Sequence, residues 1–331
     1  MVPMAATMRD VAALAGVSIK TVSRVVNLEP HTRPEVVRRV RSAIAELEWV
    51  PNGSARTLRT GRTGVIAVGV PQLRRPYLSM LTEAVVSEVY RRGLQAAVEP
   101  THLSEERLAT LLDARGRVFD GIILIGAVPA DLVATLRPAD AVVLLHHPPT
   151  DRVDSVDADA VEAASLVARH LVVMGRSRPA LIGVDRTPDG NRAVADALAA
   201  AGIAGDAPRV DHVTGRADGA RAARELLDRA PDTDALLCGS DELALGALAE
   251  LARSGVAVPD EVAIVGFDNL DDASFSTPSL TTVDPGAARL ARSAVDLLVD
   301  RLAGTGGDVA RRIISPVELV RRESTLGAGL R

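Results

Sequence analysis

The stretch Thr7–Asn27, TMRDVAALAGVSIKTVSRVVN, decides how the N-terminal part of this chain is read. Thr7 is a favourable helix N-cap, and Asp10 puts a carboxylate in the first turn, where it complements the helix dipole. Val11, Leu14 and Ala15 recur at helical spacing, and Gly16 ends the helix. Ser18 caps a second helix after the three-residue turn Gly16-Val17-Ser18. Val22, Val25 and Val26 share the face of that helix that packs on the first, while Lys20, Arg24 and Asn27 share the opposite one. Two short helices, a tight turn with glycine and a basic outer face predict a helix-turn-helix whose second helix enters the DNA major groove. The alternative is a small helical hairpin with a merely solvated face.

The charge distribution favours the first reading. Residues 1–62 carry ten Arg/Lys and five Asp/Glu, a net of +5; the remainder carries 28 basic and 38 acidic residues, a net of −10, summing to −5. A basic head on an acidic body attracts a polyanion where contact is wanted and repels it elsewhere. Lys20 is the sole lysine beside 37 arginines, so the abundance of arginine follows composition and is not itself a nucleic-acid signal. The single cysteine, Cys238, excludes an intrachain disulfide and a thiolate metal cage, and its apolar run reads as the site of a buried structural thiol. At 331 residues the chain has length for two or three domains, with no apolar run near the roughly 20 residues of a membrane span. No basic and apolar leader pattern opens the chain, so a soluble cytoplasmic protein is expected.

Pro34–Glu48 reads as a third helix with Val36, Val37, Val40, Ile44 and Leu47 closing a small core, and Trp49 as packing rather than a DNA contact. Pro51–Thr63, PNGSARTLRTGRT, holds a short helix capped by Asn52. About two turns are unstable alone in water. The segment therefore either folds only with DNA and a second chain or serves as a flexible linker. From Gly64 onward, apolar runs at Val65–Val70, Gly121–Gly126, Ala141–His146, Ala180–Val184, Ala235–Ser240 and Val262–Phe267 alternate with helical patterns such as Leu78–Arg92, Val161–Val173 and Asp241–Ser254. That texture predicts parallel sheets covered on both faces, with ligands beyond the carboxyl ends of the strands.

The segment DVAALAGVSIKTVSRVVN, the helix Pro34–Glu48, VPNGSARTLRTGRT and the later DEVAIVGFDN together resemble the lac repressor/galactose repressor family over essentially the whole chain. The resemblance implies an all-α helix-turn-helix head at residues 1–50, a hinge at 51–62 and an α/β two-lobed core, like that of periplasmic binding proteins, at 63–331. Its lobes are expected at 63–155 with 286–308 and at 156–284 with 309–325, with chain crossings near Asp154–Asp159, Thr281–Pro285 and Asp308–Arg312. It also implies a homodimer on pseudo-palindromic double-stranded operator DNA, repressing a carbohydrate-related operon under control of a small-molecule effector, a sugar, in the interlobe cleft. Ile19, Lys20 and Arg24 are expected on base edges, and Thr7, Ser18, Thr21, Ser23, Asn27 and His31 on the backbone. In the hinge, Leu58 is the expected minor-groove wedge, Ala55 allows two hinges to approach, and Asn52, Arg56 and Arg59 reach the DNA.

For the effector, Asp268 in Gly266-Phe267-Asp268 is expected to accept from hydroxyls. Ser240 stands where the family usually has asparagine, and Asp241 reads as the cap of the next helix. Gly190 stands where the family has its effector arginine, which leaves Arg192 or Arg186 as substitutes, Arg192 being the nearer. Tyr77, Phe267 and Phe275 are the aromatic candidates for a sugar face. The histidines of His146-His147 point to opposite sides of an extended chain, so they are poor joint metal ligands, and His147 is expected to line the cleft. No nucleophile elbow, zinc-protease motif, phosphate loop or calcium loop is found, so no catalysis, metal or cofactor is expected. A transport binding protein, a sugar-processing enzyme and a DNA-binding protein indifferent to small molecules are the competing readings. The first has no use for the head, the second lacks an acid/base pair, and the third hangs on the missing arginine.

Overall fold

The computed structural model describes residues 6–26, 32–49, 61–184, 188–203 and 207–327, with the side chains of 188–191 left out of account. It divides into two compact units, residues 1–63 and 64–331.

The first unit is built from α1 (Met8–Ala15), α2 (Ile19–Val26) and α3 (Pro34–Glu46). Thr7 and Asp10 close a reciprocal capping box, in which Thr7 N–H donates to Asp10 at 2.8 Å and Asp10 N–H to Thr7 Oγ1 at 3.4 Å. Gly16, in the left-handed conformation at φ 62°, ends α1. Ser18 Oγ accepts from Thr21 N–H at 3.1 Å and starts α2. The core joins Val11, Ala12 and Ala15 of α1 to Val22 and Val25 of α2, Val40 and Ala43 of α3, and Trp49. Leu14, expected on the inner face, is 46% exposed instead. Leu14 and Ala12 flank the same Val11–Ala15 stripe on opposite sides, and the smaller residue takes the packed side.

The second unit contains two six-stranded sheets. The first has the order β11-β5-β4-β3-β1-β2, from β1 (Val65–Val70), β2 (Gln95–Pro100), β3 (Gly121–Ile125), β4 (Val142–Leu145), β5 (Asp154–Ala158) and β11 (Arg312–Ser315). All its pairings are parallel. Successive residues alternate between its faces. Ile66, Val68, Ile123 and Ile125 meet α4 (Pro76–Arg91) and α12 (Ala287–Ala303), while Ala67, Ile122 and Leu124 meet α5 (Glu105–Asp113) and α6 (Ala130–Ala134).

The second sheet has the order β12-β10-β9-β8-β6-β7, from β6 (Pro179–Ile182), β7 (Arg209–Val210), β8 (Ala235–Cys238), β9 (Ala263–Phe267), β10 (Thr281–Asp284) and β12 (Glu318–Val320). Only β12 runs antiparallel to its neighbour. One face packs α7 (Ala160–Val173) and α8 (Pro188–Ala200); the other packs α9 (Arg216–Arg229), α10 (Asp241–Ser254) and α11 (Asp271–Phe275). The short α13 (Glu323–Leu326) follows β12.

The chain passes between sheets after β5, after β10 and between β11 and β12. The first passage follows Ala158 and the second follows Asp284. The third lies at Pro316-Val317, not at Asp308–Arg312, because Arg312–Ser315 still pairs with Ser155–Ala158 in the first sheet. A buried ion pair holds that end of the sheet. Arg301 of α12 donates to both oxygens of Asp154, at 2.9 and 2.6 Å, and Arg311 N–H adds a bond of 2.7 Å.

Candidate functional site

The outer face of α2 presents Ser18, Ile19, Lys20 and Arg24 to solvent, with Thr21 and Ser23 half-buried beside them. Ile19 is 44% exposed although aliphatic, which is the costly placement for an isolated helix and the useful one for meeting a thymine methyl. Ser18 and Thr21 are partly committed to each other, with their hydroxyls 2.9 Å apart, so the cap also fixes the leading edge of α2. The Thr7 hydroxyl is likewise engaged with Asp10, at 2.7 Å. Asn27, His31, Asn52, Ala55, Arg56, Leu58 and Arg59 lie outside the described residues.

A second site forms where both sheets turn their carboxyl ends toward one another. A cavity of about 400 Å³ is lined from the first lobe by Leu78, Gly126, Ala127, His146, Pro148 and Asp157. From the second lobe it is lined by α7 (Ala163, Ala164, Val167), α8 (Val194, Leu198) and the strand ends at Leu237, Val265 and Val283. Glycine permits close packing at the strand ends of the second lobe. A Cβ on Gly239 would stand 1.9 Å from the Gly183 carbonyl oxygen, and one on Gly266 would stand 2.2 Å from Asp241 Oδ1.

Among the described lining residues, Asp157 and His146 are the polar side chains besides the Cys238 thiol. His146, held in a left-handed conformation at φ 56°, sets its Nδ1 2.8 Å from Asp157 Oδ1 and its Nε2 2.6 Å from the Tyr77 hydroxyl. A carboxylate only accepts, so Nδ1–H donates to Asp157 and Nε2 accepts from Tyr77, an assignment made from the bonding pattern. Asp157 Oδ1 also accepts from Ala158 N–H at 2.8 Å. Burial, reinforced by the charge of Asp241, pushes the Cys238 thiol up, so it stays protonated and uncharged.

Of the residues expected on the effector, Tyr77, His147, Arg192, Ser240 and Asp268 are not among the described lining residues. Tyr77 is buried and orients His146 from behind, their ring centroids 5.6 Å apart. His147, expected in the cleft, faces the other way, with Nδ1 2.6 Å from Pro148 O and Nε2 3.2 Å from Val128 O. The cleft histidine is therefore His146, selected by the backbone turn that ends β4. Ser240 is buried as the cap of α10, accepting from Leu243 N–H at 3.3 Å. Arg192 is exposed. On α8 the cavity-facing pair is Val194 and Leu198, at i and i+4, and a residue two before Val194 lies about 200° around the helix. Asp268 is buried at φ 123° beside the strand pairing, its N–H donating to Val283 O at 2.9 Å. Of the aromatic candidates Phe267 lines the cavity, while Phe275 is 86% exposed on α11.

Asp241, expected only as a helix cap, is a buried node. It accepts from Leu270 N–H at 2.8 Å and from the Thr282 hydroxyl at 2.6 Å. Burial pushes its carboxyl up to about 7; the Thr282 bond opposes this and the nearby charge of Asp268 adds to it. Sequence reasoning also missed Asp157. Its only signal was a place in the acidic cluster DSVDAD, at an expected passage between the lobes.

Among the described residues no helix is long and apolar enough to cross a membrane, and no group of His, Cys, Asp or Glu is placed to hold a metal. Residues 7–52 match bacterial regulatory proteins of the lacI family, and residues 168–325 match a periplasmic binding protein-like domain. The transcriptional regulator CelR of Thermobifida fusca is 34% identical over 95% of this chain and 97% of its own. The ribose operon repressor of Escherichia coli K12 is 30% identical over 96% and 99%. The lac repressor dimer bound to operator and the anti-inducer ONPF superimposes with a TM-score of 0.80 at 26% identity, covering 97% of this chain and 99% of that one. The CelR–cellobiose complex does so with a TM-score of 0.68 at 31% identity, over 96% and 99%. Family matches and relatives alike are transcriptional regulators rather than enzymes. This chain belongs to the lacI family of bacterial regulatory proteins, a transcription regulator with a helix-turn-helix head and a two-lobed α/β core.

Proposed function

We propose that the protein is a cytoplasmic repressor that binds a pseudo-palindromic operator as a homodimer and responds to a small molecule held between its lobes. The observation that carries this reading is the face of α2. A capped, well-packed helix exposes Ile19, Lys20 and Arg24 together, where a buried core would have gained from an apolar side chain and random surface from a polar one. Two such heads related by a two-fold axis mirror a palindrome. Segment 51–62 joins head to core, and its sequence supports a hinge that folds on DNA in one lobe arrangement and not in the other. The effector must then bind the two arrangements with different affinity. The cavity favours this over a regulator indifferent to small molecules, because about 400 Å³ falls within the range of ligand sites. Resemblance and the cellobiose-bound neighbour support a carbohydrate-containing effector.

Selection of bound sequences from a random duplex pool, with sedimentation of the free protein, tests the reading. A dimer and a recovered inverted repeat are expected. A monomer that enriches no sequence at moderate salt overturns it.

A further inference from the structure

Gly266 and Phe267, at the end of β9, line the cavity, and the chain then turns. Two successive non-glycine residues make that turn at positive φ, Asp268 at 123° and Asn269 at 51°. Such backbone persists only where its surroundings over-determine it, and here three consecutive amides are held. Asp268 N–H donates to Val283 O at 2.9 Å, Asn269 N–H to Thr282 Oγ1 at 3.3 Å and Leu270 N–H to Asp241 Oδ2 at 2.8 Å. The Thr282 hydroxyl donates in turn to Asp241 Oδ1 at 2.6 Å.

The Asn269 side chain carries this fixation outward. Its Oδ1 accepts from Arg322 Nη2 at 2.8 Å, and its Nδ2 donates to Asp284 Oδ2 at 3.1 Å. A guanidinium only donates and a carboxylate only accepts, so the two partners fix which way the amide points. Asp284 closes β10 at the second passage between the sheets, and its Oδ1 accepts from Gly286 N–H at 2.7 Å. Gly286, at φ 73°, caps α12 and lies against Arg289, whose Nη2 would stand 2.5 Å from a Cβ there. That same nitrogen donates to Pro316 O at 3.1 Å, in the third passage. A polar line thus runs from the end of a cavity-lining strand to two passages between the lobes.

We propose that Asn269 and Asp284 are positioning residues, a matched donor and acceptor that tie the turn after β9 to the passages between the lobes. On the effector reading above, on which this rests, a molecule in the cleft loads the turn and the pair hands that load to the lobe arrangement. The carboxylate of Asp284 holds the turn with one oxygen and the passage with the other, so neither can shift without drawing on the other. Both ends then bias the same two-state element, which is what coupling requires.

Amide hydrogen exchange and operator binding of the full-length protein test this, with the inverted repeat recovered from the duplex pool as the DNA probe. Asn269→Gly keeps the positive φ and removes both side-chain bonds. Asp284→Asn keeps an acceptor for Gly286 N–H but sets an amide donor against the Asn269 amide; as the milder change it serves if Asn269→Gly does not fold. Each should speed exchange at the far end of the pair, Asn269→Gly at Gly286–Leu290 and Asp284→Asn at Asn269 and Leu270, since coupling is reciprocal. Each should also change operator affinity by about two- to thirtyfold. Asn269→Asp combined with Asp284→Asn reverses the bond. The new carboxylate accepts from the new amide and from Arg322, and the amide oxygen still accepts from Gly286 N–H. This double variant should bring both readouts back toward the unaltered protein. Far-end exchange unchanged in a folded single variant would overturn the proposal, and so would a reversed pair no better than the singles. Far-end exchange that responds and recovers while operator affinity stays fixed would leave the tie standing and overturn the regulatory reading. The exchange measurement needs neither ligand nor DNA, so it decides the tie by itself.

Discussion

Arg24 and Arg301 are both arginines on helices, and their surroundings give them opposite tasks. Arg24 is exposed on α2, where a guanidinium matches the two acceptors on the guanine edge. Arg24→Ala should cost about 1–3 kcal/mol on operator DNA and little on random duplex, read by competition binding at fixed salt. Equal losses on both would move Arg24 to a phosphate. Arg301 is 2% exposed and clamps Asp154, which is fully buried. Burial alone would push the Asp154 carboxyl up, but hydrogen bonds from Arg301 and Arg311 outweigh it and hold the group below the usual carboxylate range. Arg301→Ala removes one of the two guanidiniums on the buried Asp154 and leaves Arg311 as its remaining partner, so it should destabilise the core by about 1.5–3 kcal/mol in denaturant titration. The two buried aspartates also make opposite pH predictions. The depressed Asp154 contributes stability above about pH 4 that is lost as pH falls through its folded value. Asp241, pushed up to about 7, contributes stability below its unfolded value that is lost as pH rises through about 7. The core should therefore melt at a lower temperature at pH 8 than at pH 5.5, and Asp241→Asn should narrow that difference. A melting temperature flat across this range would contradict the burial assigned to Asp241.

Among the elements, the strands of the core carry two layers of information. Alternation within β1 and β3 sends Ile66, Val68, Ile123 and Ile125 to one face and Ala67, Ile122 and Leu124 to the other, so both faces are buried and the runs read as continuously apolar. The helices α9 and α10 meet through glycine. A Cβ on Gly246 would lie 1.9 Å from the Arg216 carbonyl oxygen, and one on Gly219 would lie 2.1 Å from that of Leu243. Both obstacles are backbone, so neither can swing aside. Gly246→Ala should destabilise the core by about 1–3 kcal/mol or more in thermal or denaturant melts, despite alanine's better helix propensity. A stabilised variant would show that the two helices can separate without loss. Nothing in the sequence around Gly246 marks this contact, because the partner is over 20 residues away.

Across the core as a whole, a polar clasp bridges the lobes. Arg75, capping α4 of the first lobe, donates to Glu242 Oε2 at 2.7 Å and to the Thr214 carbonyl, both in the second. The pair is partly exposed, worth about 0–1 kcal/mol, so Arg75→Ala should leave the melting temperature nearly unchanged while weakening ligand binding by up to about fivefold. Undiminished affinity would mean that the ligand-binding arrangement does not use the clasp. Much of this molecule is local enough to be read along the chain. Thr7, Asp10, Gly16 and Ser18 each bond to a group within four residues of themselves, so the caps and turn of the head follow from spacing, and the apolar runs mark strands whatever their order. The cleft was legible only as a place, the carboxyl ends of the strands. Which side chains enter it depends on the turn after β4, which shows His146 and hides His147, and on the rotation of α8, which brings Val194 and Leu198 inward and leaves Arg192 outside. The third passage between lobes was likewise decided by the pairing of β11 with β5, some 157 residues apart in the chain at Asp154 and Arg311. Sequence determined what each segment can form, because those forces act between neighbours. Tertiary structure decided what the cavity is made of, because that is settled by groups that meet only after the two sheets have assembled.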